Sequence, residues 1–201
     1  MAKVTEKKLN TIRINAGEWR SRLIKFPDAE GLRPTPERVR QTVFNWLGQD
    51  LTGLRCLDLF AGTGVMGFEA LSRGASAVSL VEKSLPAYKA LISNKQLLSA
   101  DKANILHQDA LQFLNQNTLK FNIIFLDPPY NQGWLPKILP LIATHLHAEG
   151  LVYVEAEYAL DASELKASAG FSVDWQIVKQ NKAGNVFYHL LKAERIDGES
   201  K

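Results

Sequence analysis

The chain has 201 residues, 46% of them hydrophobic and 22% charged, proportions that exclude a disordered or fibrous protein and suit one domain with a small extension. No apolar run approaches the roughly 20 residues of a membrane helix, and the amino terminus lacks a signal-peptide core, so a cytoplasmic protein is expected. Cys56 is the lone cysteine and the four histidines are scattered, which leaves no internal disulfide and no metal-ligand spacing.

The net charge of +3 is unevenly placed: residues 1–40 hold ten Lys or Arg against five Asp or Glu, and the remainder fourteen against sixteen. The first eight residues read as a solvated basic tail. Residues 11–26 alternate roughly in polarity on either side of an Asn15-Ala-Gly17 turn signal, which predicts a β-hairpin with Trp19 at its turn and Arg13, Arg20 and Arg22 projecting from it. Such a ribbon can lie along a phosphate backbone, or it can be an edge hairpin whose charges keep it soluble. Next comes a helix with Thr35 as its predicted N-cap and Pro36 at its first position. Val39, Val43, Phe44, Trp46 and Leu47 form its stripe, and Arg38 and Arg40 are expected on the surface. Arg33 and Thr35, just before that helix, are placed to meet an anionic group.

A strand at Arg55–Phe60 then runs into Ala61-Gly-Thr-Gly64, a helix follows from Val65 to Arg73, and a second strand ends at Glu82. Strand, tight turn, helix, strand and acidic residue make up the doubly wound nucleotide-binding opening, with the acid placed to hold ribose hydroxyls. Gly62, Gly64 and Gly67 spell G-x-G-x-x-G, which also occurs in dinucleotide sites and in plain tight crossovers. Asp58 and Phe60-Ala61 before the glycines match better the S-adenosylmethionine-dependent methyltransferases. A helix over Leu85–Ser99 and a strand at Ala103–His107 lead to Asp109-Ala110, where Asp109 can cap the next helix and, by its likeness to methyltransferase folds, is also expected to accept from an adenine amino group.

Phe121-Asn-Ile-Ile-Phe-Leu126 is an apolar strand that stops at Asp127-Pro-Pro-Tyr130. Pro128 and Pro129 cannot donate to a sheet ladder, so the chain leaves the sheet there with a stiff tip. The Asp127 carboxylate and the Pro128 carbonyl are acceptors that can hold both hydrogens of a planar amino group while the Tyr130 ring stacks on its base. Taken alone, these four residues also suit an ordinary turn. A helix over Trp134–His147, a strand at Leu151–Glu155, a short helix at Ser163–Ser168 and two strands, Phe171–Gln180 and Asn185–Lys192, about an Asn181–Gly184 turn complete the pattern. The expected fold is α/β: a doubly wound, seven-stranded, mostly parallel sheet with its last strand antiparallel. Residues 1–35 form a basic extension with a hairpin, 36–195 the catalytic domain, and 196–201 a frayed tail.

Asp58-Leu-Phe-Ala-Gly-Thr-Gly64, Glu82, Asp109 and Asp127-Pro-Pro-Tyr130, preceded by Ala16-Gly-Glu-Trp-Arg20 and Leu32-Arg-Pro-Thr35, resemble the bacterial 16S ribosomal RNA guanine-N2 methyltransferases, the RsmD family. The resemblance covers nearly the whole chain. It implies transfer of a methyl group from S-adenosyl-L-methionine to the exocyclic N2 of guanine 966 of 16S rRNA in an assembled or assembling small subunit; a monomer is expected, and the residue spacing already calls for no metal. It also implies that Asp58, Phe60, Ala61, Gly62, Thr63, Gly64, Glu82, Asp109, Ala110 and Asp127 hold the cofactor. Asp127 to Tyr130 would then hold the base, and Arg13, Arg20, Arg22, Arg33 and Arg38 the RNA. The Asp-Pro-Pro-Tyr chemistry is shared with DNA adenine-N6 methyltransferases, the competing reading, although this chain has no room for their target-recognition domain.

Overall fold

A computed structural model describes residues 9–29, 32–161, 165 and 173–195. Apart from Leu165, the expected helix at 163–168 and the tail at 196–201 lie outside the described residues.

Seven strands form one sheet: β3 (Arg55–Asp58), β4 (Ala77–Glu82), β5 (Ala103–His107), β6 (Phe121–Leu126), β7 (Leu146–Ala156), β8 (Val173–Ala183) and β9 (Val186–Arg195). Their order is β5-β4-β3-β6-β7-β9-β8. The first five pair in parallel, and β9 runs antiparallel between β7 and β8, as the mostly parallel sheet with an antiparallel last strand requires. Helices cover both faces, so the central strands are apolar on both sides. Alternate residues go to opposite layers. Cys56, Ile123, Phe125 and Tyr153 meet the side chains of α1 (Glu37–Leu47), α2 (Val65–Ser72) and α3 (Leu85–Leu98), whereas Leu57, Ile124, Leu126, Val152 and Val154 meet α4 (Ala110–Gln116) and α5 (Leu135–Ile142). Chain direction reverses its sideways progress between β3 and β6, and the carboxyl ends of strands at such a switch point open the crevice where doubly wound folds bind ligands. Among the described residues no helix is long and apolar enough to cross a membrane.

The amino-terminal hairpin differs from the expected one. β1 (Leu9–Arg13) and β2 (Leu23–Pro27) pair antiparallel, but residues 14–22 make a broad tip rather than a tight Asn-Ala-Gly turn. Trp19 is 7% exposed and joins Ile14 and Ile24 in the core under α1 and α2, so it presents no ring to a partner. The tip is fastened to α2: the amides of Asn15 and Ala16 donate to the Glu69 carboxylate (2.9 and 3.1 Å), and the Ser72 hydroxyl accepts from the Trp19 amide (2.9 Å) and donates to the Ala16 carbonyl (2.6 Å). Arg40, expected on the surface, is 1% exposed and pairs with Glu69 at 3.0 Å, while Arg73 pairs with the other Glu69 oxygen at 2.8 Å. A buried carboxylate is stable only when paired and hydrogen-bonded, and Glu69 has two guanidinium partners and two amides.

Four boundaries also shift. α1 starts at Glu37 with Pro36 as its N-cap and no capping side chain, because the Thr35 hydroxyl is engaged elsewhere. α5 stops at Ile142 and passes through a single 3-10 turn. Pro140 has no amide to bond the preceding turn, and β7 starts at Leu146, earlier than expected, opposite Phe121. The last hairpin turns on Gly184-Asn185 alone, since Ala183 already pairs with Val186; Gly184 has φ +61°, a left-handed value that glycine adopts without strain.

Candidate active site

The predicted cofactor residues converge at the carboxyl edge of β3, β4 and β5. After β3 the chain passes through Phe60-Ala61 to Gly62 and Gly64, both left-handed, with φ of +51° and +76°. The Ala61 amide donates to the Val81 carbonyl at 2.9 Å, and the Gly64 amide to the Ala61 carbonyl at 2.6 Å. A side chain at Gly64 would strike Leu91 at 2.3 Å, so the turn is tight because the helix layer presses on it. Thr63 is buried and its hydroxyl accepts from the Val65 amide, closing the first turn of α2. Glu82 reaches across from β4: its carboxylate accepts from the Gly62 amide at 2.8 Å and from the Ser84 amide at 2.5 Å. Each of its oxygens retains a second lone pair that can accept from a ribose hydroxyl.

Asp58 is 5% exposed and accepts from the Gly67 amide at 3.1 Å. Burial pushes its carboxyl up to about 7, against the Gly67 amide and with help from the nearby Glu82 charge. Asp109 caps α4 through the Leu111 amide at 3.0 Å and pairs with Lys83 at 3.1 Å. Desolvation opposes its charge, but the Lys83 and amide donors prevail and hold the carboxyl below its ordinary range. Ala110 is buried as the first residue of that helix. A glycine cradle with free backbone approach and carboxylates at three successive strand ends fit S-adenosylmethionine, whose methionyl, ribose and adenine parts offer donors to acceptors.

The acceptor tip lies next to this cradle. β6 pairs with β3 in the register Asp58 opposite Phe125 and with β7 in the register Leu126 opposite Val154. Asp58, Asp127 and Glu155 therefore project from the same face of three adjacent strand ends. Asp127 is half-buried, Pro128 buried and Pro129 exposed, while Tyr130 keeps 40% of its surface open, enough for a ring face on which a base can stack. Burial, then Glu155, then Asp58 hold the Asp127 carboxyl well above its usual range. The turn beyond Tyr130 is fixed by Asn131, left-handed at φ +58°, whose amide donates to Glu157. Phe60 stands edge-on to Trp134 with ring centroids 5.3 Å apart, joining the glycine turn to the start of α5.

The strap Leu32–Thr35 bridges the two halves of the site. A side chain at Gly62 would come within 3.0 Å of Leu32, Arg33 lies close enough to Tyr130 to favour its phenolate, and the Thr35 hydroxyl donates to Glu155. Arg38 is exposed on the first turn of α1. The hairpin arginines are set apart: the Arg13 guanidinium donates to the Ser21 carbonyl and that of Arg22 to the Leu97 carbonyl, and Arg20 is exposed on the tip. That tip rests on the far end of α2, roughly 12 Å along the helix from the glycine turn. A groove of about 500 Å³ also lies at that far edge, between Trp19, Ser72 and Asp101, away from the strand-end carboxylates described above. A cavity of about 40 Å³ sits beside Pro128, Tyr130, Trp134 and Glu155. It has room for about one water.

Two parts of this site escape the sequence reading. Glu155 appears there only as a strand end, although an acid at the tip of the strand beside Asp127 was a usable signal. Thr35 reads as a helix cap because hydroxyls before a Pro-Glu start usually serve that purpose.

Residues 12–192 match the model of the family described as conserved hypothetical protein 95. The chain is 39% identical over 191 residues to ribosomal RNA small subunit methyltransferase D of Escherichia coli, covering 94% of this chain and 93% of the relative. It is 37% identical over 185 residues to the protein of the same name from Haemophilus influenzae, with 89% and 92% covered. A solved Escherichia coli structure described as a methyltransferase, yhhF, superposes with a TM-score of 0.79 at 37% identity over 92% of this chain and 99% of that one. With the glycine cradle, the strand-end acids and the Asp-Pro-Pro-Tyr tip in the places described, the chain belongs to the ribosomal RNA small subunit methyltransferase D family of S-adenosylmethionine-dependent methyltransferases.

Proposed function

We propose that the chain methylates the exocyclic N2 amino group of one guanine in 16S rRNA, guanine 966 by its resemblance, within an assembled or assembling small subunit. One observation carries this reading: the Asp127 tip and the Glu82-bound glycine turn end on adjacent strand positions of one crevice. S-adenosylmethionine supplies an electrophilic methyl group whose sulfur departs with the electrons of the broken bond. Asp58, Phe60, Ala61, Gly62, Thr63, Gly64, Glu82, Asp109 and Ala110 would hold it.

The guanine amino nitrogen is a weak nucleophile because its lone pair is delocalised into the ring. Accepting its two hydrogens at the Asp127 carboxylate and the Pro128 carbonyl favours a pyramidal nitrogen whose lone pair points at the methyl carbon. Tyr130 stacks on the base, which leaves its neighbours to arrive there. Orientation of this kind lowers a barrier by on the order of 7–11 kcal/mol at most. Arg33 and Arg38, beside the crevice, and Arg13, Arg20 and Arg22, along the hairpin, would hold phosphates.

Small subunits from a strain lacking this protein, treated with the chain and methyl-labelled cofactor, should acquire one N2-methylguanosine in 16S rRNA. Labelled adenine in duplex DNA, with none in the subunits, would overturn the reading in favour of DNA adenine-N6 methylation.

A further inference from the structure

We propose that Glu155 is a positioning residue that acts through Asp127: the two carboxyls share one proton, so the pair meets the substrate with a single negative charge and room for one proton more. This rests on the proposed amino methylation. The placement is built, not incidental. Glu155 is 4% exposed, accepts from the Tyr153 hydroxyl at 2.7 Å and from Thr35, and follows Val154, the register partner of Leu126. It therefore stands beside Asp127 on the same sheet face, and the small cavity behind the tip is bordered by Glu155 and by Pro128, the residue after Asp127. A like charge beside a buried carboxyl disfavours a second ionisation, so buried Glu155 and half-buried Asp127 titrate in two linked steps. Burial first, then Glu155 and Asp58, raise Asp127. Burial also raises Glu155, opposed by its two hydroxyl donors.

The other titratable groups around the pair are Asp58 at the end of β3, with Glu82 behind it on β4, Glu157 and the neutral Tyr130 in the loops, the neutral Tyr153 and Tyr188 on the sheet, and Arg33 on the strap. Negative groups outnumber Arg33, which favours retention of one proton. In the reaction the N2 lone pair forms the new bond to the methyl carbon, and nitrogen is left with a positive charge and one proton in excess. The N–H electrons stay on nitrogen, the proton goes to the Asp127 carboxylate, and the pair ends with two protons and no charge. One proton then leaves to water through the exposed side of Asp127. Because Thr35 belongs to the strap, a distortion of the strap would reach the pair through one hydrogen bond.

The test is a carboxyl titration of the full-length, ligand-free protein carrying carbon-13-labelled aspartate, followed by NMR. Glu155→Gln should convert the Asp127 titration to a single step at least one pH unit lower, and should move the acidic limb of the kcat profile the same way. A purely structural Glu155 would lower kcat equally at every pH; an unmoved Asp127 midpoint in the folded variant overturns the proposal. If Glu155→Gln does not fold, Tyr153→Phe decides. Loss of that donor should raise the pair's lower midpoint, and no change overturns the proposal. The titration uses neither RNA nor methyl donor, so its failure beside normal RNA methylation would sink only the pair, whereas a normal titration in a chain that methylates no RNA would sink only the proposed function.

Discussion

The Gly62 amide donates to the Glu82 carboxylate at 2.8 Å, and this single contact joins the turn after the first parallel strand to the acid at the end of the second. The cradle is thereby held in shape by the carboxylate proposed to take the ribose hydroxyls. Glu82→Gln keeps an acceptor for Gly62 but loses the charge. Hydrogen bonds to a charged group contribute about 1.5–3 kcal/mol, so cofactor affinity measured by calorimetry should fall tenfold or more with little change in melting temperature. Unchanged affinity would remove Glu82 from the cofactor site.

Asp127→Ala should abolish methyl transfer while S-adenosylhomocysteine still binds within a few-fold of the native affinity. The glycine turn and Glu82 hold each other without Asp127, and removal of a half-buried carboxyl relieves the neighbouring Asp58 and Glu155. Equilibrium binding and single-turnover rates on the same preparation separate the two effects. Native turnover would dismiss the tip from the chemistry.

Asp58 makes stability depend on pH. Its folded carboxyl titrates near 7 against an ordinary value of 3.8, so the folded state binds a proton that the unfolded state has released. Its contribution is intact below pH 4 and lost as pH rises through about 7, on the order of 4 kcal/mol in full. Asp58→Asn should flatten the loss of stability between pH 4 and pH 7 in urea titrations. A variant with the native slope would assign that slope to other groups.

The parallel strands β3, β4 and β6 were legible because they are short apolar runs that end in or run into an acidic residue, and period and punctuation both survive folding. The positions of the strand-end acids were legible because a strand end is a place that sequence can count to. What sequence did not disclose depends on partners far along the chain. Trp19 looks like an exposed turn aromatic until α2 is set beneath it, and Arg40 looks like a surface charge until Glu69, 29 residues away, faces it. Thr35 serves Glu155 rather than its own helix for the same reason. A local rule applies only where no distant group competes for the same donor.

The buried triad Arg40–Glu69–Arg73 fastens the hairpin to α2 and should be costly to break. Arg40→Met leaves Glu69 with one guanidinium and an uncompensated lone pair in the core, and loss of one partner of a buried pair costs about 3–5 kcal/mol. Gly17→Ala attacks the same junction from the other side. Gly17 has φ +81°, and a β-carbon there would lie 1.8 Å from the Ser72 carbonyl oxygen. Both variants should melt earlier, and amide exchange in β1 and β2 should accelerate. Native stability in both would show that the tip does not depend on this anchor.

The arginines divide by distance from the crevice, and RNA binding should divide with them. Arg33 sits beside Tyr130, and Arg38 is on the first turn of the helix that follows the strap. Arg20 stands on the tip, against the far end of α2, where the Trp19 amide is held by Ser72. Removing a phosphate-binding arginine at either place forfeits about one released counterion and lowers the salt slope of binding by roughly one. Only an arginine near the crevice also orients the base. Arg33→Ala should therefore raise KM and lower kcat together, whereas Arg20→Ala should raise KM alone. The measurement is methylation of small subunits across a salt series. An Arg20→Ala enzyme indistinguishable from native at every salt concentration would confine the RNA footprint to the strap and α1, and would leave the hairpin as a structural brace whose charges face only solvent.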